Sequence, residues 1–168
     1  MSMGITAENV AKKFDISRKE QQEFAISSHY KANLARESKM FDNEIVSITN
    51  NDEKINKDGG IRPNTSHEIL DGLKLAFDEN GTVTAGTASP LTDGASAVIV
   101  CEEEYAKKNN LNILARIKST AVVGCPPELM GLGPINASKK ALKRANLSIT
   151  DIDICLLYTS DAADELRS

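Results

Sequence analysis

The chain has 168 residues, of which 40% are hydrophobic, 26% charged and 4% aromatic, and its formal net charge is −4. This composition is typical of a globular protein with one modest core, and the mixing of charges along the chain argues against general nucleic-acid binding. No apolar run is long enough to span a bilayer and no signal-peptide pattern follows Met1. We therefore expect no membrane association and a cytoplasmic location.

Cysteine and histidine are few. The three cysteines, Cys101, Cys125 and Cys155, are far apart and lack metal-ligand spacing, and imidazole could come only from His29 and His67. A metal site is therefore not expected. Cys101 and Cys125 are interpreted as reduced packing residues. The histidines have no neighbouring triad pattern and are interpreted as structural or surface residues.

The first third of the chain has helical patterns. Thr6 is predicted to cap a short helix that ends at Phe14. Ser17 and Glu20 predict a capping box for a longer helix that reaches about Ser38. Small residues recur at helical spacing along this second helix, which favours close packing on one face.

The middle of the chain alternates short elements. Residues 44–48 alternate enough to predict a strand, followed by a polar loop. Thr65 and Glu68 predict another capping box at the start of a short helix. Residues 82–85 predict a strand.

The last part of the chain predicts helices that alternate with strands. The apolar run 95–101 is typical of a central strand buried on both faces, and 102–109 predicts a helix with an acidic first turn. Residues 113–124 predict a long strand, 135–145 a basic amphipathic helix and 149–154 the start of another strand. Such alternation favours an α/β architecture.

The run 81–97, GTVTAGTASPLTDGASA, combines a short strand, tight turns and a hydroxyl-rich loop with almost no charge. Gly86 allows the backbone to turn closely, and Pro90 biases Ser89 toward an extended conformation. Such a loop lets backbone and hydroxyl groups approach a polar, amide-bearing ligand. The run therefore predicts a binding loop on a rigid scaffold.

This run and several others resemble the thiolases, which make or cleave the carbon–carbon bond of 3-ketoacyl-CoA. The blocks occur in the family's order and at about its spacing, and they extend over nearly all of residues 3–154. The matching blocks are 3–10 (MGITAENV), 17–25 (SRKEQQEFA), 44–46 (EIV), 62–65, 81–97, 130–136 (MGLGPIN) and 139–145. The segment SPLTDGASA is more similar in sequence to degradative 3-ketoacyl-CoA thiolases than to biosynthetic members.

The resemblance implies an α/β fold of two βαβαβαββ halves with an inserted loop domain that binds coenzyme A. Residues 1–91 would form most of the loop domain, 92–112 the end of the N-terminal half and 113–154 the start of the C-terminal half. Residues 155–168 have no thiolase character. Their CLLYTSDAADE run matches the conceptual translation of a sequencing-library transposon adapter, so we interpret them as a non-native tail.

The resemblance also implies covalent catalysis by a Cys thiolate, with a second Cys and an oxyanion-hole His. These groups belong to family blocks before Met1 and beyond residue 154. The chain is thus identified as an internal piece of an acyltransferase, without a catalytic residue and without thiolase activity of its own. Coenzyme A or acyl-CoA is the implied substrate, with no separate cofactor. The parent enzyme is expected to be a homo-oligomer, either a dimer or a tetramer.

Eight residues match coenzyme A contacts of the family. Ser89 matches a serine that hydrogen-bonds the pantetheine arm, and Arg62 a basic residue near the nucleotide end. The apolar lining of the pantetheine tunnel is matched by Leu73, Phe77, Ala85 and Leu91, and two methionines beside the acyl pocket by Met3 and Met130.

The residues alone leave other interpretations open. Ser89 could satisfy turn backbone, and Arg62 could be a solvated loop charge. Leu73 and Phe77, four residues apart, could be core residues, and the methionines could fill packing gaps. For the whole chain, the alternatives are a non-catalytic module that binds coenzyme A and a thiolase-like condensing or carrier protein.

Overall fold

A computed structural model of the protein describes residues 1–157. The chain divides into two compact units, one of Met1–Pro90 and one that starts at Leu91. Of the segment interpreted as an adapter-derived tail, residues 158–168 lie outside the described residues. The assignment of ranges to the loop domain and the two halves stays a prediction. Among the described residues, no helix is both long and apolar enough to cross a membrane.

Helix α1, Met3–Phe14, opens the first unit. Its N-cap is Ser2, whose Oγ accepts a hydrogen bond from the Ile5 N–H at 3.4 Å. The predicted Thr6 cap is wrong, because Thr6 lies one turn inside the helix. There its side chain is buried and its hydroxyl donates to the Met3 carbonyl at 2.7 Å. The helix therefore begins four residues earlier than predicted.

Helix α2, Arg18–Glu37, confirms the predicted capping box. Ser17 Oγ accepts from the Glu20 N–H at 3.2 Å, and the Ser17 N–H donates to Glu20 Oε2 at 2.8 Å. Hydrogen bonds from the Ser17 hydroxyl and then from its backbone N–H lower the pKa of the Glu20 carboxyl below its ordinary 4.5. Of the residues of α2, Gln22 is buried. The helix thus joins the unit mainly through polar contacts on one face.

A short hairpin follows α2. Strand β1, Ile48–Asn50, pairs antiparallel with β2, Glu53–Ile55, so that Ile48 lies opposite Ile55. Asn51 and Asp52 form the turn with φ values of 48° and 66°, as a tight hairpin with a right-handed twist requires. The strand predicted at 44–48 begins only at Ile48, because this turn sets where pairing starts.

Helix α3, His67–Asp71, is a single short helix whose N-cap is Ser66. Ser66 Oγ accepts from the Ile69 N–H at 3.3 Å. The predicted capping box is wrong by one residue, because the Thr65 hydroxyl instead donates to the Arg62 carbonyl at 2.8 Å. That bond stabilises the turn that leads into α3.

The chain after α3 doubles back on itself. Leu75 and Thr84 form an antiparallel bridge, and the Ala76 N–H donates to the Val83 carbonyl at 3.0 Å. Val83 and Thr84 are both buried. The strand predicted at 82–85 is therefore reduced to one bridge, yet its burial fixes the start of the loop that follows.

The second unit contains α4, Glu103–Lys108, and α5, Gly133–Ala145, which confirm the helices predicted at 102–109 and 135–145. Two 3₁₀ helices accompany them. They span Pro127–Leu132 and Ile149–Asp151. The second of these stands at the start of the segment 149–154, where a strand is predicted, and that prediction is wrong for the described residues.

Within the described residues, the apolar segments 95–101 and 113–124 form no helix and pair with no strand, so the predicted strands are not formed. Val98, Ile99 and Leu114 are 85%, 86% and 89% exposed. A strand needs a neighbour for its backbone hydrogen bonds, and the described part of the chain supplies none to these segments. They keep the apolar character of buried strands without a partner to cover it.

Side chains of α5 hold the extended segment beside it. Arg144 Nη1 donates to the Thr120 carbonyl at 2.6 Å, and Lys140 Nζ donates to the Val122 carbonyl at 3.1 Å. In return, Ser119 Oγ donates to the Ala141 carbonyl at 2.7 Å. The described architecture thus mixes helices with paired and extended segments, in accord with the predicted α/β class.

Candidate functional site

A groove of about 470 Å³ lies in the first unit between α2 and the loop of residues 86–89. We call it the α2–loop groove. An aromatic ring, a methyl group, hydroxyls and an imidazole share its walls. Its main lining residues are Phe24, Ala25, Ser28, His29, Thr87 and Ser89. A groove of this kind suits a ligand that carries both apolar and amide groups.

Threonines close the turn that carries the loop. Thr87 Oγ1 accepts from the Thr84 N–H at 3.1 Å and donates to the Thr84 carbonyl at 3.2 Å. Thr84 Oγ1 in turn accepts from the Gly86 N–H at 3.3 Å. Within residues 1–157, the Ser89 hydroxyl makes no hydrogen bond of its own. The turn is thus satisfied without Ser89, and Ser89 is one of the residues that line the groove.

A buried carboxylate fixes the segment before the turn. Glu8 of α1, which is 8% exposed, accepts hydrogen bonds from the Thr82 N–H at 2.9 and 3.0 Å and from the Val83 N–H at 2.7 Å. The Thr82 hydroxyl donates to Glu8 Oε2 at 3.1 Å. Gln21 of α2 donates to the same hydroxyl at 2.7 Å. Both helices therefore contact this segment, α1 through its backbone and α2 through the Thr82 side chain.

A second set of polar contacts fixes α3. Arg18 Nη2 donates to the carbonyls of Leu70, Asp71 and Leu73 at 2.9, 3.1 and 2.8 Å. Gln22, 2% exposed, donates to Asp71 Oδ1 at 2.9 Å. The start of α2 is thereby joined to the end of α3, which stabilises the frame around the groove.

His29 connects the groove to the segment that carries Arg62. His29 Nδ1 accepts from the Arg62 N–H at 3.2 Å, so the neutral ring keeps its own proton on Nε2. The Arg62 side chain is exposed. His29 also lines a second groove, of about 410 Å³, with Tyr30 and His67 among its other residues. The backbone of Arg62 is thus fixed beside the groove while its guanidinium stays accessible.

The predicted apolar contacts of the first unit are distributed around the same loop. A Cβ on Gly86 would lie 2.7 Å from Leu73 Cδ1, so Leu73 packs against the loop backbone. The Phe77 ring lies against Gly4 of α1, next in sequence to Met3. Ala85, just before Gly86, is exposed. None of these four predicted residues lines the α2–loop groove itself.

Two predicted residues belong to the second unit. Leu91, its first residue, is 80% exposed. Met130 is half-buried in the 3₁₀ helix, where its carbonyl accepts from Cys125 Sγ at 3.9 Å. The ligand-binding roles of Leu91 and Met130 stay predictions. Across residues 1–157, no cluster of three or more potential metal ligands forms.

Sequence reasoning missed part of this site. Phe24 and Ser28 recur at i, i+4 spacing on α2, a pattern that predicts a packed face as readily as a groove wall. His29 was interpreted only as structural or surface. Glu8 and Arg18 gave no local signal, because their partners lie far along the chain.

Two family models match the chain, one in its N-terminal part and one in its C-terminal part. The family model described as thiolase, N-terminal domain, matches residues 1–104, and that of the thiolase C-terminal domain matches residues 111–167. The chain belongs to the thiolase family. The resemblance inferred from its sequence blocks is thereby confirmed.

Its curated relatives include 3-ketoacyl-CoA thiolases. The chain is 48% identical to that of Marinobacter nauticus and 49% identical to that of Serratia proteamaculans, each over 170 residues and 98% of this chain. The alignments take in 44% of each relative, so the chain spans less than half of their length.

Solved structures show the same fold. A human mitochondrial 3-ketoacyl-CoA thiolase in complex with CoA matches with a TM-score of 0.84 and 42% identity, over 90% of this chain and 38% of that one. The dimeric peroxisomal thiolase of Saccharomyces cerevisiae matches with a TM-score of 0.86 and 41% identity, over 99% of this chain and 43% of that one. The predicted α/β thiolase fold, in part, is thus confirmed.

Proposed function

We propose that this chain supplies coenzyme A binding to an acyltransferase that cleaves 3-ketoacyl-CoA thiolytically or forms it by Claisen condensation. In this proposal the pantetheine arm lies in the α2–loop groove and Ser89 donates to, or accepts from, one of its amides. Coenzyme A or acyl-CoA is the substrate, and no separate cofactor takes part. The complete enzyme is a homo-oligomer, a dimer or tetramer.

The observation that carries the proposal is the Ser89 hydroxyl. Thr84 and Thr87 satisfy the turn backbone, so Ser89 has no structural bond to make within the described residues. It lines a groove that also offers the Phe24 ring and the Ser28 hydroxyl. Pantetheine has two amides and a gem-dimethyl group, so it needs both kinds of contact. The human relative that was solved in complex with CoA supports the ligand class.

The other matched residues are assigned to the same ligand. Arg62 would meet the nucleotide end, where a guanidinium can pair with phosphate. Leu73, Phe77, Ala85 and Leu91 would line the pantetheine arm. Met3 and Met130 would lie beside the acyl group.

Ser89→Ala tests the binding proposal. We expect the Kd for CoA, measured by titration calorimetry, to rise about fivefold, because a neutral hydrogen bond to a buried ligand amide contributes on the order of 1 kcal/mol. The matched control is Ser47→Ala, an exposed serine outside the groove. An equal Kd for Ser89→Ala and the control would contradict the proposed role of Ser89.

We further propose that the chain carries no catalytic residue. The family's nucleophilic Cys, which would take the acyl group, and its oxyanion-hole His belong to blocks other than those matched here. We expect no CoA-dependent cleavage of acetoacetyl-CoA by the 168-residue chain, measured by loss of the enolate absorbance. Turnover that disappears in Cys125→Ser or Cys101→Ser would overturn this expectation.

A further inference from the structure

Glu8 is a buried carboxylate in contact with backbone rather than with a cation. It receives four hydrogen bonds, three from the N–H groups of Thr82 and Val83 and one from the Thr82 hydroxyl. Among the described residues, no Lys or Arg forms an ion pair with it. A buried charge without a counter-ion is costly, and its retention needs compensation by several well-placed donors.

The chain approaches this carboxylate very closely. A Cβ placed on Gly81 would overlap the Glu8 carboxyl group, so a larger residue there would have to displace that carboxyl from its hydrogen bonds. Gln21 holds the other side of the Thr82 hydroxyl at 2.7 Å. Glu8 of α1 therefore holds the backbone at 82–83, and Gln21 of α2 holds the Thr82 side chain.

We propose that Glu8 is a positioning residue that holds the Ser89-bearing loop in the conformation that binds ligand. The inference rests on the proposed function, because it assigns Glu8 a role in coenzyme A affinity. The segment Thr82–Thr84, in which Val83 and Thr84 are buried, leads directly into the turn closed by Thr84 and Thr87, and that turn leads to Ser89. A shift of the 82–83 backbone is thus transmitted to the groove wall through the four hydrogen bonds that join Thr84 to Gly86 and Thr87.

Glu8→Gln is the test, since it keeps the size of the side chain and replaces one accepting oxygen by a donor. Two quantities are measured on the 168-residue chain: the Kd for CoA and the amide hydrogen-exchange rates by NMR. We expect the Kd to rise at least about tenfold, as loss of hydrogen bonds to a charged acceptor implies. Exchange at Thr82 and Val83 should accelerate by a similar factor while the α2 amides remain protected.

The matched control is Glu79→Gln, which makes the same chemical change at an exposed carboxylate in the neighbouring turn. We expect it to alter neither quantity. If Glu8→Gln exposes the α2 amides as well, Thr82→Val decides, because it removes the hydroxyl bonds to Glu8 and Gln21 and keeps the hydrogen bonds from the Thr82 and Val83 N–H groups to Glu8. Faster exchange confined to Thr82 and Val83 in that variant supports the proposal, and unchanged exchange overturns it.

The two measurements separate this inference from the proposed function. If the unmodified chain does not bind CoA, the proposed function fails, and exchange at Thr82 and Val83 in Glu8→Gln alone decides whether Glu8 positions the loop. If CoA binds and the Kd of Glu8→Gln equals that of Glu79→Gln, the proposed function stands and the role of Glu8 is overturned.

Discussion

Arg18→Leu is expected to lower the free energy of unfolding of the first unit by about 3 kcal/mol, because three carbonyls lose a charged donor. Those carbonyls belong to Leu70, Asp71 and Leu73, at the end of α3. Leucine fills part of the space of the arginine side chain but has no hydrogen-bond donor. The measurement is urea denaturation followed by circular dichroism at 222 nm.

Two further variants serve as comparisons for Arg18→Leu. Arg18→Lys keeps the charge but loses the planar fork, so we expect an intermediate loss of about 1–2 kcal/mol. Lys19→Leu makes the matched change at the next residue, which is exposed, and should stay within about 0.5 kcal/mol of the original chain. Equal denaturation midpoints for Arg18→Leu and Lys19→Leu would show that the carbonyl contacts contribute nothing.

Gly4→Ala is expected to be destabilising by about 1–3 kcal/mol, although alanine is the better helix former by about 1 kcal/mol. Gly4 is buried in α1, and an added Cβ would overlap the Phe77 ring at the ring atom nearest its backbone. Because the overlapping atom is the one attached to Cβ, a movement of the far edge of the ring would not relieve the overlap. The whole Phe77 ring must therefore move away from Gly4. Thermal unfolding followed by circular dichroism measures the loss.

A double-mutant cycle separates the clash from the helix propensity. In a Phe77→Ala background, Gly4→Ala should become stabilising by about 0.5–1 kcal/mol, because only the propensity gain remains. Gly59→Ala is the control, since a Cβ there meets no atom within 4 Å. If Gly4→Ala is equally destabilising with and without the ring, Phe77 does not pack on α1 as described.

Sequence predicted the helices better than the strands, and the reason is physical. The Ser17–Glu20 capping box and the amphipathic pattern at 135–145 are local signals, and both helices form. The strands predicted at 95–101 and 113–124 depend on neighbours that the described residues do not provide. The caps at Thr6 and Thr65 were misplaced because several hydroxyl residues lie near each helix start, and propensity alone does not choose among them.

Of the candidate site, the sequence predicted the loop but not the contacts that hold it. The hydroxyl-rich loop and Ser89 could be read from a continuous run of residues, and the structure places Ser89 in a groove wall. The contacts that hold that loop could not be predicted from the sequence. Arg18 and Glu8 contact backbone groups 52 and 75 residues away, and no local pattern in the sequence reports on such pairs.

The polar interior of the first unit has a thermodynamic consequence. Its buried side chains include more polar than apolar groups: Thr6, Glu8, Gln22 and Thr84 against Ala11, Leu70 and Val83. Heat-capacity change on unfolding rises with exposed apolar area and falls with exposed polar area, so that of this unit is small for its length. Its stability curve is correspondingly flat, and cooling, which weakens apolar cohesion, removes little of what holds the loop in place.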